Sequence, residues 1–180
     1  MFIDPWPAFR PSEYRVKFAT TPWEVAGCKA LRHAVFCAEQ GLFHGDDSDA
    51  VDDVAIPLAA LSCLLGMAEA VVGTVRIHQP RPGLWIGSRL AVAQPFRQIG
   101  RLGSALIRLA VGAAHGRGCH TFLAQVQVQN VPLFRRLHWQ SLEEVTLHGL
   151  PHHLMQADLA YYPPCSDPEA GFIAGRAIGP

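Results

Sequence analysis

Apolar residues recur along this chain at two periods, and together the two periods predict a mixture of helices and strands. Three- and four-residue steps separate the apolar residues of the first helical segment: Val25, Cys28, Leu31, Val35 and Ala38. The preceding Thr21-Pro22-Trp23-Glu24 has the form of a capping box with proline at the first helical position. We therefore predict a helix that begins at Pro22 and ends near Gly41.

A second amphipathic helix is predicted over residues 102–115. Its apolar face is formed by Leu102, Ala105, Leu106, Leu109, Ala110 and Ala113. Arg101, Arg108 and His115 lie on another face, and the glycines that follow His115 supply a stop signal. A shorter helix is predicted over Val131–Leu137.

Segments with the strand period occupy much of the remaining chain. The clearest is Cys119–Gln129, in which apolar and polar residues alternate. Further strands are predicted over Tyr14–Ala19, Val54–Leu65, Ala70–His78, Trp85–Ala93, 142–148 and 153–161. Pro57 weakens the strand that contains it or puts that strand at an edge of the sheet.

The order of these elements predicts an α/β fold. Strands and helices alternate through the middle of the chain and strands follow one another at its end, which indicates a mixed sheet with helices on both faces. No repeat or long linker divides the sequence. We expect residues 1–180 to form a single domain with irregular arms at residues 1–13 and 163–180.

Composition excludes several classes of protein. Of the 180 residues, 49% are hydrophobic, which predicts a folded core, and 15 basic residues balance 15 acidic ones. A net charge of zero argues against nucleic acid and anionic membranes as partners. No apolar run reaches the roughly 20 residues of a membrane span, and prolines interrupt the N-terminus where a signal peptide would be apolar. A cytoplasmic protein without a membrane partner is expected.

The five cysteines do not form a recognisable framework. They are odd in number, scattered and without C-x-x-C spacing, which favours reduced thiols over disulfides or a zinc site. His148, His152 and His153 lie close together in the sequence, but a zinc site needs a further ligand and firmer spacing. We therefore predict no metal.

The stretch from Leu84 to Arg117 carries the most information about function. It combines an apolar strand, a basic turn with two glycines and an amphipathic helix. Backbone N–H groups at such a helix N-terminus bind phosphate, and glycine lets the backbone approach the anion closely. Arg97 and Arg101 add positive charge to this turn.

Two segments together resemble the GCN5-related N-acetyltransferase (GNAT) superfamily: RLAVAQPFRQIGRLGSALI and, after the next strand, QNVPLFRRLHW. The resemblance spans roughly residues 23–160. It implies the acyl-CoA N-acyltransferase fold, with a mostly antiparallel central sheet, and acetyl-CoA as the cofactor. The turn departs from the Gln/Arg-x-x-Gly-x-Gly/Ala pattern of the family. With Gly103 as the last position, Arg101 replaces a glycine; with Arg97 as the first, Leu102 takes the final small position.

The same resemblance implies which residues bind the cofactor. The pyrophosphate would lie on the turn formed by Arg97, Gln98, Ile99, Gly100, Arg101, Leu102, Gly103 and Ser104. Backbone groups of Leu90, Ala91 and Val92 would pair with the pantetheine in a gap between two diverging strands. Asn130 and Phe134 would lie against the pantetheine and the thioester.

Catalytic residues are less clearly implied. The backbone N–H of Val92, at a bulged strand, is the expected oxyanion donor. The tyrosine acid of the family aligns with Phe134, which has no proton to donate, and the strand Trp85–Ala93 lacks a carboxylate. Glu39 is the candidate base because its helix end and the following loop usually wall the acceptor site; the alternative is a solvated carboxylate.

The function implied is acetyl-CoA-dependent N-acetylation of a small amine. LRHAVFCAEQGLF and the loop with five aspartates after it resemble two subgroups of the superfamily, small bacterial acetyltransferases and acyl-homoserine-lactone synthases. Phe122, Leu133 and Phe134 would then line an apolar acyl tunnel, or they are simply core. A third alternative is a CoA-binding module without catalysis. The aspartates either attract a cationic acceptor or form a solvated turn, and a homodimer is an open alternative because relatives often dimerise.

Overall fold

The computed structural model describes residues 11–98 and 101–175. We number the strands and α-helices in chain order: β1 (Glu13–Phe18), α1 (Pro22–Arg32), β2 (Ile56–Leu64), β3 (Met67–Arg81), β4 (Leu84–Val92), α2 (Leu102–His115), β5 (Thr121–Gln127), α3 (Val131–Arg136), β6 (Trp139–Leu147), β7 (Leu150–Ala157) and β8 (Phe172–Gly175). Short 3₁₀ helices lie at Ala50–Asp53, Gln94–Phe96, Val128–Asn130 and Leu159–Tyr161.

In the described residues, eight strands form one sheet in the order β6-β7-β5-β4-β3-β2-β1-β8. Every neighbouring pair is antiparallel except β4 and β5, which are parallel. The fold expected from the sequence, a mixed and mostly antiparallel sheet, is therefore confirmed.

Helices cover both faces of the sheet, as predicted. On β2, Leu58 and Ala60 belong to the main core with α2, whereas Ala59 and Leu61 pack with Cys28 of α1. Side chains alternate between the faces of a strand, so α1 and α2 lie on opposite sides. We refer to these sides as the α1 face and the α2 face.

The first helical segment begins and ends where the sequence predicts, but its second half is not an α-helix. The Thr21 N–H donates to the Glu24 carboxylate at 3.1 Å, as in a capping box, and proline occupies the first turn. After Arg32 the chain continues as a π-helix over His33–Glu39, which the apolar spacing did not reveal. Such π-helical segments are rare and are frequent at functional sites.

Pro57 does not put its strand at an edge, because β2 lies between β1 and β3. The proline is tolerated in this inner strand because the hydrogen-bonded pairing between β1 and β2 ends beside it. The Ala19 N–H donates to the Pro57 carbonyl at 2.9 Å, and β1 itself ends at Phe18. The donor that proline lacks therefore falls just beyond the paired part of the two strands.

The segment 163–180, expected to be irregular, contains β8. Phe172–Gly175 pair with Val16–Glu13 of β1 and extend the sheet. Gly171 makes this return possible: its φ is +65°, and a Cβ there would lie 1.9 Å from the Val16 carbonyl oxygen. A contact made by backbone leaves no apolar pattern in the sequence.

Candidate functional site

Strands β4 and β5 separate part-way along their length. They pair with each other from Leu84–Thr121 to Gly87–Ala124. Beyond these residues β4 continues to Val92 and β5 to Gln127, and the two strands no longer pair with each other. Beyond Gly87, no described strand bonds to β4 on that side. The result is a wedge-shaped split in the middle of the sheet, as the sequence comparison with the superfamily implied.

A β-bulge in β4 lies beside the split. Thr74 of β3 pairs with Ala91 and Arg76 pairs with Ser88, so β4 has one residue more than β3 between these points. Arg89 lies in the bulge with φ at +56°, a left-handed conformation that costs energy for a residue with a Cβ. The bulge therefore places a strained backbone where β4 borders the split.

The backbone of Val92 points into the split. Val92 lies opposite Gly73, and the Ala93 N–H donates to the Val72 carbonyl at 2.9 Å. In an antiparallel ladder, this makes Val92 a position whose own N–H and C=O point away from β3. Its carbonyl accepts from Arg97 Nε at 2.9 Å, while its N–H points into the split.

The N-terminus of α2 lies beyond the end of β4. Arg101, the residue before the helix, has φ of +51°, and no side chain of the described residues caps the helix. A Cβ on Gly103 would meet no atom of the described residues within 4 Å, so none of them fills the space beside the first turn. Leu102 is buried, while Ser104 is partly exposed and Gln98 exposed. Ile99 and Gly100 lie outside the described residues.

Two residues predicted for separate roles are joined in an ion pair. Arg97 donates to both carboxylate oxygens of Glu39, at 2.5 and 2.7 Å. About two-fifths of each side chain is exposed to solvent. The Arg97 guanidinium holds the pKa of the Glu39 carboxyl below its usual value. In this arrangement Glu39 is a poor proton acceptor, and Arg97 is already engaged.

A cavity of about 540 Å³ passes through the split. On the α1 face its walls include Phe36, Gln40 and Gln127, and Gln127 donates to Gln40 at 3.1 Å. On the α2 face the walls include side chains from α2 and β5. Leu90, Asn130 and Phe134 all line this cavity, whereas Leu133 does not. Pockets of this size hold small molecules and cofactors.

The aspartate-rich loop after α1 is neither a solvated turn nor a free anionic surface. Asp47 is 2% exposed and binds Arg32 at 2.7 Å and Arg89 at 3.0 Å. Asp49 and Asp52 bind Arg76 at 2.7 and 2.8 Å, and Asp52 also binds Arg32. These three aspartates balance the three arginines, so the network has no net charge. It joins the loop to α1, β3 and the bulge of β4.

The network could have been suspected from two arginines in apolar strands. Arg76 lies in the run TVRIH and Arg89 in the run SRLAV. A buried arginine needs an anionic partner. The sequence does not show which aspartate each would find. The Arg89 guanidinium also lies over the Phe43 ring, 4.5 Å from its centre, and Phe43 contacts His148 edge-on.

His78 was also missed by sequence reasoning. It lines the cavity, and its Nδ1 is buried without a hydrogen-bond partner among the described residues. Burial lowers the pKa of the imidazole, and the nearby Arg76 lowers it further. Within the described residues, no group of three His, Cys, Asp or Glu side chains could hold a metal ion.

Phe134 has a packing role. Its ring contacts Trp139 edge-on, with 5.0 Å between ring centres, and it is buried beside the split. The two tyrosines of the following segment do not supply a hydroxyl here. Tyr161 stacks on His138, while Tyr162 donates to the Leu137 carbonyl and accepts from Trp139.

A sequence model described as the acetyltransferase (GNAT) family matches residues 31–139, more than half of the chain. The chain belongs to the GNAT family. The matched region contains the helix end at Glu39, the bulge, the split and the N-terminus of α2.

Solved structures show the same fold at low sequence identity. An acyl-CoA N-acyltransferase from Pseudomonas aeruginosa has a TM-score of 0.64 and 20% identity, covering 81% of this chain and 99% of that chain. FeeM, an N-acyl amino acid synthase from uncultured soil microbes, has a TM-score of 0.66 and 12% identity, with 85% and 95% covered. BjaI, a CoA-dependent acyl-homoserine lactone synthase solved with SAM and isopentyl-CoA, has a TM-score of 0.59 and 18% identity, with 73% and 74% covered.

No curated protein matches the sequence. Among the described residues, no helix combines the length and apolar character that crossing a bilayer requires.

Proposed function

We propose that the protein is an acyl-CoA-dependent N-acyltransferase that acts on a small amine, with acetyl-CoA as the donor that the family resemblance implies. Membership in the GNAT family supports acyl transfer from acyl-CoA in general. The observation that carries the proposal for this chain is the split between β4 and β5, with the Val92 N–H pointing into it.

In this proposal the donor enters from the N-terminus of α2. The pyrophosphate lies against the turn 97–104, where backbone N–H groups and the helix dipole favour an anion. None of the described residues lies within 4 Å of a Cβ on Gly103, which leaves room for it. The pantetheine then runs along the unpaired edge of β4, past Leu90–Val92, with Asn130 and Phe134 on its other side.

The reaction forms a C–N bond and breaks a C–S bond. The neutral amine attacks the thioester carbonyl carbon, and the oxyanion takes a hydrogen bond from the Val92 N–H. As the intermediate collapses, the C–S bond breaks, CoA leaves as the thiolate, and the nitrogen gives its extra proton to water. An ordinary thiol pKa near 8.5 lets the thiolate leave without an acid. This accounts for a site in which Phe134 replaces a tyrosine.

Glu39 is the proposed base, and it can accept a proton only after its ion pair with Arg97 has opened. When a pyrophosphate binds, Arg97 turns from Glu39 to the phosphate. The freed carboxyl then returns toward its ordinary pKa and accepts the ammonium proton through water. Cofactor binding and base release are thereby coupled in one pair of residues.

The acceptor enters on the α1 face, between the π-helix, Phe43 and the aspartate-rich loop. One of the neighbouring structures holds isopentyl-CoA, which supports an acyl-CoA donor without restricting its acyl group to acetyl. A small amine fits a cavity of about 540 Å³ that also holds the pantetheine arm.

The test is CoA thiol release from acetyl-CoA across a panel of amines. Gly103→Trp should lower CoA affinity at least about tenfold in calorimetry, because an indole beside the first turn of α2 would occupy the pyrophosphate position. Arg108→Trp puts the same side chain on the exposed side of the same helix and should change nothing. Wild-type CoA affinity in Gly103→Trp would refute this placement.

A further inference from the structure

The imidazole of His78 lines the cavity near the closed end of the split. His78 lies on β3 opposite Ile86 of β4, and Gly87, the next residue, is where β4 and β5 last pair. Ile77 belongs to the main core with α2, so the side chains of Arg76 and His78 lie on the α1 face, because successive residues of a strand alternate. The described residues make no hydrogen bond to either nitrogen of the His78 ring. The acceptor side of the cavity therefore contains a polar ring without a partner from the described chain.

The two ring nitrogens of His78 differ in their surroundings. Nδ1 is buried, and no described residue bonds to it. Burial lowers the pKa of the imidazole and Arg76 lowers it further, so the ring is neutral at pH 7 and carries one proton. Buried N–H groups without an acceptor are rare in proteins. The surroundings therefore favour the tautomer in which Nδ1 is bare and Nε2 carries the proton.

The proton on Nε2 makes the accessible edge of this ring a hydrogen-bond donor. His78 is half-buried, and among the described atoms only its Nδ1, not its Nε2, is both fully buried and unpaired. Nε2 is thus the nitrogen that an occupant of the cavity can reach. A few placed polar groups fix the orientation of a ligand in a mostly apolar pocket. The part of the occupant that faces His78 should therefore present an oxygen as the acceptor.

This oxygen should belong to a neutral group. Apart from histidines, the charged residues that line the described cavity wall are Asp49, Arg76 and Arg89. Asp49 binds Arg76 at 2.7 Å and Arg89 at 3.3 Å, and Arg89 also binds Asp47 at 3.0 Å. A carboxylate on the occupant would find no arginine of this wall without an aspartate, and burying a charge without a free partner is costly. Hydroxyl, amide and ether groups remain.

The strand register gives the distance from this oxygen to the reacting nitrogen. Val92, whose N–H points into the split, lies opposite Gly73, and Ile86 lies opposite His78. The two levels are five β3 residues apart, which is about 16 Å along the strand. The thioester carbonyl and the imidazole side chain each take up part of this length. An acceptor that reaches from one to the other spans roughly 10 Å.

We infer that His78 selects the acceptor, because its Nε2–H binds a neutral oxygen roughly 10 Å from the nitrogen that is acylated. The substrate class is an extended amine with a hydroxyl, amide or ether group at its far end. His78 contacts the acceptor and takes no part in the bond changes. The inference rests on the proposed function, because it names the acceptor of that reaction.

Calorimetry on the protein saturated with CoA tests the inference without acyl transfer. Two pairs of amines are compared, 6-amino-1-hexanol with heptylamine and 3-amino-1-propanol with butylamine. In each pair a methyl group replaces the hydroxyl, and only the longer pair reaches His78. In His78→Leu the affinity ratio of the longer pair should shift about threefold to tenfold toward heptylamine, because one hydrogen bond is lost. The ratio of the shorter pair should stay the same.

Two further variants separate recognition from packing. His78→Gln keeps an N–H donor at the end of the side chain and should keep part of the preference for the hydroxyl. His120→Leu removes an exposed imidazole outside this cavity and should change neither ratio. His78→Leu should melt at the wild-type temperature or above it, because an apolar group replaces an unpaired buried nitrogen. A purely structural His78 would give the reverse, a lower melting temperature with unchanged ratios.

NMR of the imidazole nitrogens provides a second readout. At pH 7 the spectrum should show a protonated Nε2 and a bare Nδ1 for His78, whose signals are those missing in His78→Leu. Addition of 6-amino-1-hexanol to the CoA-saturated protein should shift the Nε2 resonance. Heptylamine should leave it in place.

An affinity ratio that His78→Leu does not change would overturn the inference. So would a proton on Nδ1, or an equal shift for the longer and the shorter pair. A protein that binds these amines but releases no thiol from acetyl-CoA contradicts the proposed function instead, and the binding ratios still decide the role of His78. If neither amine of the longer pair binds the CoA-saturated protein, the inference is wrong.

Discussion

At the scale of single residues, the site is organised by charged side chains that find partners far along the chain. Glu39 and Arg97 are 58 residues apart and form one bidentate pair. Arg89 and Asp47 are 42 residues apart, and their pair holds the strained bulge. Each pair connects a helix end or loop of the α1 face with the end or bulge of β4, so this face and β4 are linked at two points.

Glu39→Gln should tighten CoA binding about twofold to fivefold. In the proposed function the Glu39 carboxylate competes with the pyrophosphate for Arg97, and the variant removes it; the effect is small because exposed ion pairs contribute modestly. Calorimetry with CoA measures this, and Arg97→Gln should weaken binding instead. Identical affinities in Glu39→Gln and the wild type would refute the competition.

The same Glu39→Gln variant tests the proposed base. Turnover at saturating donor should fall on the order of a hundredfold, because a positioned base contributes at least that much. A pH profile of turnover checks the assignment, since the acidic limb should disappear in the variant. An unchanged profile would leave Glu39 with the pairing role alone.

At the scale of elements, the aspartate-rich loop stabilises the sheet through its ion pairs. Asp47 accepts from Arg32 at the end of α1 and from Arg89 in the bulge. Removing one partner of a buried pair leaves the others uncompensated, which costs more than the pair itself contributes. The loop therefore fixes the position of the bulge that borders the split.

Asp47→Asn should destabilise the protein by about 3–5 kcal/mol. For a chain of this length, the melting temperature should fall by roughly 10 °C. Thermal unfolding measures this, with Asp46→Asn as the control, because Asp46 is the exposed neighbour in the same loop. Equal melting temperatures for the two variants would show that the network does not support the fold.

At the scale of the whole molecule, the carboxylates paired with arginines set the response to acid. Burial raises the pKa of the Asp52 carboxyl, but hydrogen bonds from Arg32 and Arg76 outweigh it and hold the pKa well below 3.8. Hydrogen bonds from Arg76 also lower the pKa of Asp49. Because these pKa values fall on folding, the stabilisation is complete above about pH 5 and is lost as the pH falls through 4 and below.

Asp52→Asn should therefore be less stable than the wild type at pH 7, and the difference should shrink toward pH 3. Urea unfolding across this range measures both proteins. Asp53→Asn, at the exposed end of the same 3₁₀ helix, should keep the wild-type dependence on pH. A difference between Asp52→Asn and the wild type that stays constant across the range would contradict the pairing of Asp52.

The sequence by itself determined the elements whose signals are local. The capping box fixed the start of α1, the 3.6-residue period fixed α2, and alternation fixed the buried face of β5. The glycine-bearing turn and the segment around Asn130 were enough to identify the superfamily. These features depend on neighbouring residues, which is why the chain's own pattern reveals them.

Only the tertiary structure decided the rest. The inner position of β2, the pairing of β8 with β1, the charge network and the cavity at the split all depend on residues that meet across long stretches of chain. Backbone pairing carries no side-chain signal, and a sequence shows that a buried arginine needs an anion without showing which one. A cavity is a property of how surfaces meet, so it exists only once the sheet and its helices have packed together.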